Sequence, residues 1–163
     1  MKADLTVPAG TLDRLLGNQA GLNEYIGLEE HELRAIASLA VRLYEQGRTP
    51  EARTVFQGLI ALDPNLYLGN AALGAMDLTD GRLDSALSHL TKAVELNPDD
   101  PSVHANLGEV LLRRARSTEA QEHFQRAESL DPLSRDPGAN RARAIMAGLN
   151  LAAPETQETQ PLD

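Results

Sequence analysis

The chain has 163 residues, 42% of them hydrophobic but only 3% aromatic, and a formal net charge of -9, so one domain with a modest, mostly aliphatic core is expected. Cysteine is absent, which excludes disulfides and thiolate metal sites, and the acidic balance argues against nucleic acid, whose phosphates require a basic stripe. Sustained strand-like alternation is hard to find, and a core drawn from Ala and Leu suits closely packed helices.

The N-terminal stretch "MKADLTVPAG" carries an acid at Asp4 and no apolar run long enough for a signal or a membrane span, so a cytoplasmic location is expected. Residues 1–28 read as an extension in which "TLDRLLGNQ" forms a short helix capped by Thr11. Its Leu12, Leu15 and Leu16 need an apolar partner, either the first hairpin or a second copy of the chain.

Residues 29–46 place Leu33, Ile36, Leu39, Ala40 and Leu43 on one helical stripe, with acids at the start where the helix dipole favours them. Gly47 stops this helix. Thr49 and Pro50 read as an N-cap and a first-position proline opening a second helix, which buries Ala52, Val55, Phe56, Leu59 and Ile60 and ends before Asp63-Pro64. The same hairpin is expected again at about 65–79 and 82–96, then at about 100–114 and 117–130. Leu87 and Leu90 bury the fourth helix, and Phe124 and Leu130 the sixth. After Pro137, "GANRARAIMAGLN" carries Ala142, Ile145, Met146 and Leu149 at helical spacing with Arg141 and Arg143 between them, a solvating seventh helix over 135–151. The tail from 152 to 163 is polar, acidic and proline-punctuated, which predicts disorder.

A fixed period links these elements. Pro64, Pro98 and Pro132 lie 34 residues apart, and the same spacing connects Leu39, Leu73 and Leu107; Ala40, Gly74 and Gly108; Ala52, Ala86 and Ala120; and Phe56, Leu90 and Phe124. A turn residue recurs as Gly47, Gly81 and Ala115. Large apolar, tiny, turn, tiny, large apolar, proline describes a two-helix unit written three times, at about 33–66, 67–100 and 101–134 within 29–132.

The residues Leu39-Ala40, Ala52, Phe56 and Pro64, with their equivalents, resemble the tetratricopeptide repeat. That resemblance implies an all-α right-handed superhelix of three helix-turn-helix repeats between N-terminal and C-terminal capping helices. Within the superfamily, "LAVRLYEQGRTPEARTVFQGLIALDP" and "AALGAMDLTDGRLDSAL" are similar to the class II chaperones of bacterial type III secretion, small acidic cytoplasmic proteins that hold translocators before export.

In such a fold the first helix of each hairpin lines a concave groove, and the register names its residues. The first repeat offers Arg34, Ala37, Ser38, Val41, Tyr44 and Glu45. The second offers Leu68, Ala71, Ala72, Ala75, Leu78 and Thr79, and the third Ser102, Ala105, Asn106, Glu109, Leu112 and Arg113. The apolar middle suits an extended peptide, each buried anchor being worth roughly 1.5–3 kcal/mol before ordering costs. Repeat proteins that clamp acidic chaperone C-termini need lysines, asparagines and an arginine where this chain has Ala37, Val41, Ala72, Ser102 and Asn106. Only Asn106 fits, so that binding mode is rejected.

No catalytic or cofactor signature emerges. The four histidines, His31, His89, His104 and His123, include no i, i+4 pair for a metal, and His89 and His123 are expected exposed on second helices. No phosphate loop or nucleophile elbow is present. In "PDD" either Asp99 or Asp100 is expected to cap the following helix, and Arg113, Arg114 and Arg116 to form a solvated basic face. The residues point to a non-enzymatic, cofactor-free binding protein without nucleic acid or membrane insertion, and the resemblance implies that it is a chaperone for a translocator segment, with a homodimer through the N-terminal helix as one arrangement. The alternative is a scaffold that joins subunits of a complex. A third, more distant reading is a domain that presents substrates to a separate enzyme.

Overall fold

The structure is a computed structural model that describes residues 29–152; the extension helix at Thr11–Leu16 and the tail after Ala152 lie outside the described residues. Seven helices occupy that span: α1 Glu30–Glu45, α2 Thr49–Leu62, α3 Tyr67–Thr79, α4 Leu83–Leu96, α5 Pro101–Arg113, α6 Ser117–Leu130 and α7 Pro137–Ala152. They fall into two compact units, α1–α4 up to Pro98 and α5–α7 from Asp99. In the first, α1 packs on α2, α3 on α4, and α3 also on α1 and α2. In the second, α5, α6 and α7 all pack on one another.

The hairpin turns repeat atom for atom. Gly47, Gly81 and Ala115 take φ of 77, 74 and 59°, the left-handed conformation that lets the chain reverse after a helix. One residue further on, the amides of Arg48, Arg82 and Arg116 donate to the carbonyls of Leu43, Asp77 and Leu111 at 2.9, 2.8 and 2.9 Å. Ala115 does the work of a glycine with a Cβ attached, which costs about 1 kcal/mol.

Within each hairpin a tiny residue lets the axes approach. A Cβ on Gly74 would lie 2.6 Å from Leu90 Cγ, and one on Gly108 would lie 2.6 Å from Phe124 Cδ1. Phe56, Leu90 and Phe124 are accordingly among the fully buried large side chains, with Ala52, Ala86 and Ala120 beside them in the core.

Two expectations at helix starts need correction or refinement. Thr49 is the first residue of α2 and its N-cap is Arg48, with no side-chain cap bond, because Pro50 occupies the first turn and removes one of the amides a cap would serve. At α5 the carboxylate of Asp100 accepts from the Val103 amide at 3.1 Å, while Asp99 receives Arg126 at 2.9 Å.

The stripe read on α1 is only partly buried. Leu33 and Ala40 are enclosed and Leu43 is half-buried, whereas Ile36 and Leu39 are exposed. α7 keeps the 34-residue register, with Ala139 and Ala142 buried like Ala105 and Gly108 before them. It then runs on helically through Leu149, the position at which the three earlier hairpins turn.

Candidate binding face

In the first unit α1 presents Arg34, Ser38, Val41, Tyr44 and Glu45, all exposed and spaced along one stripe. The Ser38 hydroxyl is turned inward on the helix and donates to the Arg34 carbonyl at 2.9 Å. α3 presents Leu68, 38% exposed, with the half-buried Ala71, Ala72 and Ala75 and the exposed Thr79. Both stripes hold the same register, and α1 packs on α3, so they lie side by side. The result is a shallow face of small side chains bordered by Val41, Tyr44 and Leu68.

One end of this face deepens into a cleft of about 460 Å³ lined by Arg34, Asp63, Asn65, Leu66, Tyr67, Leu68 and Leu96. Sequence reasoning named Arg34 and Leu68 there but not the turn residues Asp63 and Asn65. The turn is shaped by its own side chains: Asp63 accepts from the Asn65 amide at 2.9 Å, and buried Asn70 donates to the carbonyls of Pro64 and Leu66 at 3.0 Å each.

Three predicted face residues are instead core. Ala37 and Ala105 are fully or almost fully enclosed, and Leu78 is buried. Ala37 belongs to the cluster of Leu33, Ala40, Ala52 and Phe56, where its methyl group is too short to reach past the neighbouring helix. No partner can touch these three.

In the second unit the equivalent positions are polar and already engaged. Ser102 donates to both carboxylate oxygens of Asp136 at 3.0 and 2.9 Å. Half-buried Asn106 accepts from Arg141 of α7, and Glu109 is held by Arg141 at 3.3 Å and by Arg113 at 2.5 Å. Leu112 is half-buried and Arg113 exposed.

Beneath the faces lie two polar clusters the period did not reveal. Asp77 of α3, whose side chain is 3% exposed, accepts from Arg53 at 2.6 Å, from Arg82 at 2.8 Å and from the Ser85 hydroxyl. Arg53 and Arg82 also share Asp80, at 2.9 and 2.7 Å. Burial alone would push the Asp77 carboxyl up, but Ser85, Arg82 and Arg53 outweigh it and hold it below the usual carboxylate range.

The second cluster is a pair of histidines, His104 of α5 and His123 of α6, whose Nδ1 atoms stand 2.9 Å apart, so one ring donates and the other accepts. Burial, and then His104, push the His123 imidazole down, against the pull of Glu122 and Glu119. His89 and His123 are half-buried rather than exposed, because both rings fold back towards the preceding helix. Among the described residues no group of three or more His, Asp or Glu side chains could hold a metal ion, and no helix is long and apolar enough to cross a membrane.

Residues 77–144 match the family model described as tetratricopeptide repeat. No curated protein matches the chain in sequence. Among solved structures, a T3SS complex from Aeromonas hydrophila aligns with a TM-score of 0.71 at 20% identity, over 86% of this chain and 95% of that one. PcrH, known from Pseudomonas aeruginosa, in complex with the chaperone binding region of PopD aligns with a TM-score of 0.66 at 23% identity, over 77% of this chain and 96% of that one. The translocator chaperone SycD of Yersinia enterocolitica, bound to a peptide of the translocator YopD, gives 0.63 at 23% identity over 76% and 96%. At these identities the likeness establishes the fold.

Proposed function

We propose that this chain, which has the tetratricopeptide-repeat fold, is a cytoplasmic, non-catalytic chaperone that holds an extended apolar segment of a secretion-system translocator. The observation that carries this reading is the α1–α3 face, where Val41, Tyr44 and Leu68 stand exposed around Ala71, Ala72 and Ala75. Small side chains let a client backbone come close, so client side chains drop between the alanines while its backbone polar groups stay near Arg34 and the turn at Asp63–Leu66. Each large apolar anchor supplies roughly 1.5–3 kcal/mol, and a client already extended pays less ordering entropy than one that must unfold. The fold is shared with SycD, solved with a peptide of the translocator YopD, and with PcrH, solved with the chaperone binding region of PopD.

Pull-down from the native organism with the tagged chain tests the proposal. A membrane-active client should co-purify, and Ala71→Glu or Ala75→Glu should abolish its capture by filling and charging the face, while Gln57→Ala on the exposed side of α2 leaves it intact. Capture that survives both glutamates would overturn it.

The scaffold reading has one observation in its favour. α6 and α7 leave open a cleft of about 620 Å³ lined by Gln121, Gln125, Arg143, Met146 and Leu149, on a different pair of helices from the alanine face. Loss of binding on Met146→Glu but not on Ala75→Glu would favour that reading.

A further inference from the structure

One turn position recurs at the 34-residue period as Asp63, Asn97 and Asp131. Asp63 has φ -137° and ψ 99°, and Asn97 has φ -146° and ψ 95°, so the same backbone accepts an uncharged amide side chain there. Asp131 engages its carboxylate within its own unit, with the amides of Arg135 and Asp136 at 3.0 Å each and with Arg143 at 3.4 Å. Asp63 does not. Its Oδ1 accepts from the Asn65 amide at 2.9 Å, a bond that an asparagine oxygen makes equally well, and among the described residues its Oδ2 has neither a hydrogen bond nor an ion pair. The turn therefore needs the oxygen of Asp63 and not its charge.

That half-buried carboxylate lines the cleft of about 460 Å³ at the end of the alanine face, beside Leu66, Leu68 and Leu96. Next to apolar walls a charge is less screened than at the open surface, so a cation that reaches it is held more firmly. A cube of the cleft's volume is about 8 Å on a side, and residues i and i+2 of an extended chain, whose side chains leave the same side, stand about 6.6 Å apart. One apolar and one basic side chain at that spacing fit together. Arg34 lines the α1 side of the cleft and repels a cation from there, which confines it to the Asp63 side. The net charge of -9 adds attraction for a basic segment from a distance.

Taking the α1–α3 face as the client site, we infer that Asp63 selects segments carrying a lysine or arginine two positions from a large apolar anchor. The anchor lies against Leu66 and Leu68, and the basic group pairs with the Asp63 carboxylate.

The probe is a set of capped synthetic peptides in one Ser/Pro-rich background with the same leucine anchors, differing only two residues after an anchor, where they carry Lys, Gln or Glu. Fluorescence anisotropy on the full chain should show the Lys peptide bound about fivefold more tightly than the Gln peptide, and the Glu peptide bound least. Asp63→Asn should bring Lys and Gln level without moving the denaturation midpoint, because it copies Asn97. Glu51→Gln removes the same charge at the other end of α2 and should keep the preference. Equal affinity for the Lys and Gln peptides in the parent chain, with both lost in Ala75→Glu, overturns the inference and leaves the client face standing. A preference that survives in Asp63→Asn overturns it too. Binding that Ala75→Glu leaves intact overturns the client reading and the inference together.

Discussion

The two units share one backbone plan and fill it with different chemistry. At the register positions where Asn70 meets His89 in the second hairpin and His104 meets His123 in the third, the first hairpin carries Ile36 and Val55. The first pair of residues is apolar, whereas a long hydrogen bond of 3.4 Å joins the second pair and a short one of 2.9 Å the third. Two turns further on, Leu43 and Leu111 bracket Asp77 in the register, the charged centre of the first unit. The outer faces differ too: α1 and α3 offer alanines and exposed apolar side chains, while α5 is cross-linked to α7 through Glu109, Asn106 and Arg141. A repeat fold thus fixes where side chains lie and leaves open whether a site is greasy, hydrogen-bonded or charged.

The sharpest way to break this contrast is to make the second hairpin resemble the other two at Asp77. Asp77→Leu copies Leu43 and Leu111 but takes the buried partner from Ser85 and leaves Arg53 only Asp80, so a loss of about 1–3 kcal/mol in chemical denaturation is expected. Arg53→Leu, which copies Leu87, should restore most of that loss in the double variant, whereas additive losses would show that the two residues do not act as a pair.

A smaller effect should appear with pH at the half-buried histidines, His123 of the second unit and His89 of the first, whose imidazole burial also pushes down. The folded state holds His123 neutral, with its proton affinity lowered by burial and by His104. That stability is fully present above the ordinary imidazole value of about 6.5 and drains away as the pH falls below it, because the unfolded chain then binds a proton the folded chain resists. Asp77, also depressed, loses its contribution only at lower pH, through and below the carboxylate range. Denaturation midpoints should therefore fall between about pH 7 and pH 5 in the parent chain. His104→Ile/His123→Val, which copies the first pair, should flatten that slope, and an unchanged slope would place its origin elsewhere.

The smallest expected change is at the third turn. Ala115→Gly gives the second unit the turn residue of the first and should raise stability by about 0.5–1 kcal/mol, read as a higher melting temperature. No gain would mean that Ala115 holds its φ without strain.

Helix positions and packing faces were legible because they depend on local spacing, and 34-residue recurrence multiplied each weak signal. Asp77 stood out in principle as an acid between two leucines of one register, but Arg53 lies 24 residues before it and only the stacking of α2 on α3 joins them. Ala37 and Ala105 were misplaced for a related reason. A helical wheel gives the direction of a side chain, whereas the burial of a methyl group depends on how close the next axis comes. Leu39 shows the converse, since its register predicts burial and its surroundings decide the exposure.

α7 opens a further hairpin in register and then runs on through Leu149 without turning, so among the described residues no return helix lies over α6. The flank of α6 left bare there carries Ser117, Thr118, Gln121 and Gln125, side chains that prefer water to a stacked neighbour. Repetitive modules with sticky ends risk head-to-tail growth into fibres. By running on where the earlier hairpins reverse, α7 leaves a flank of α6 on which a further stacked hairpin would find little apolar surface to bury.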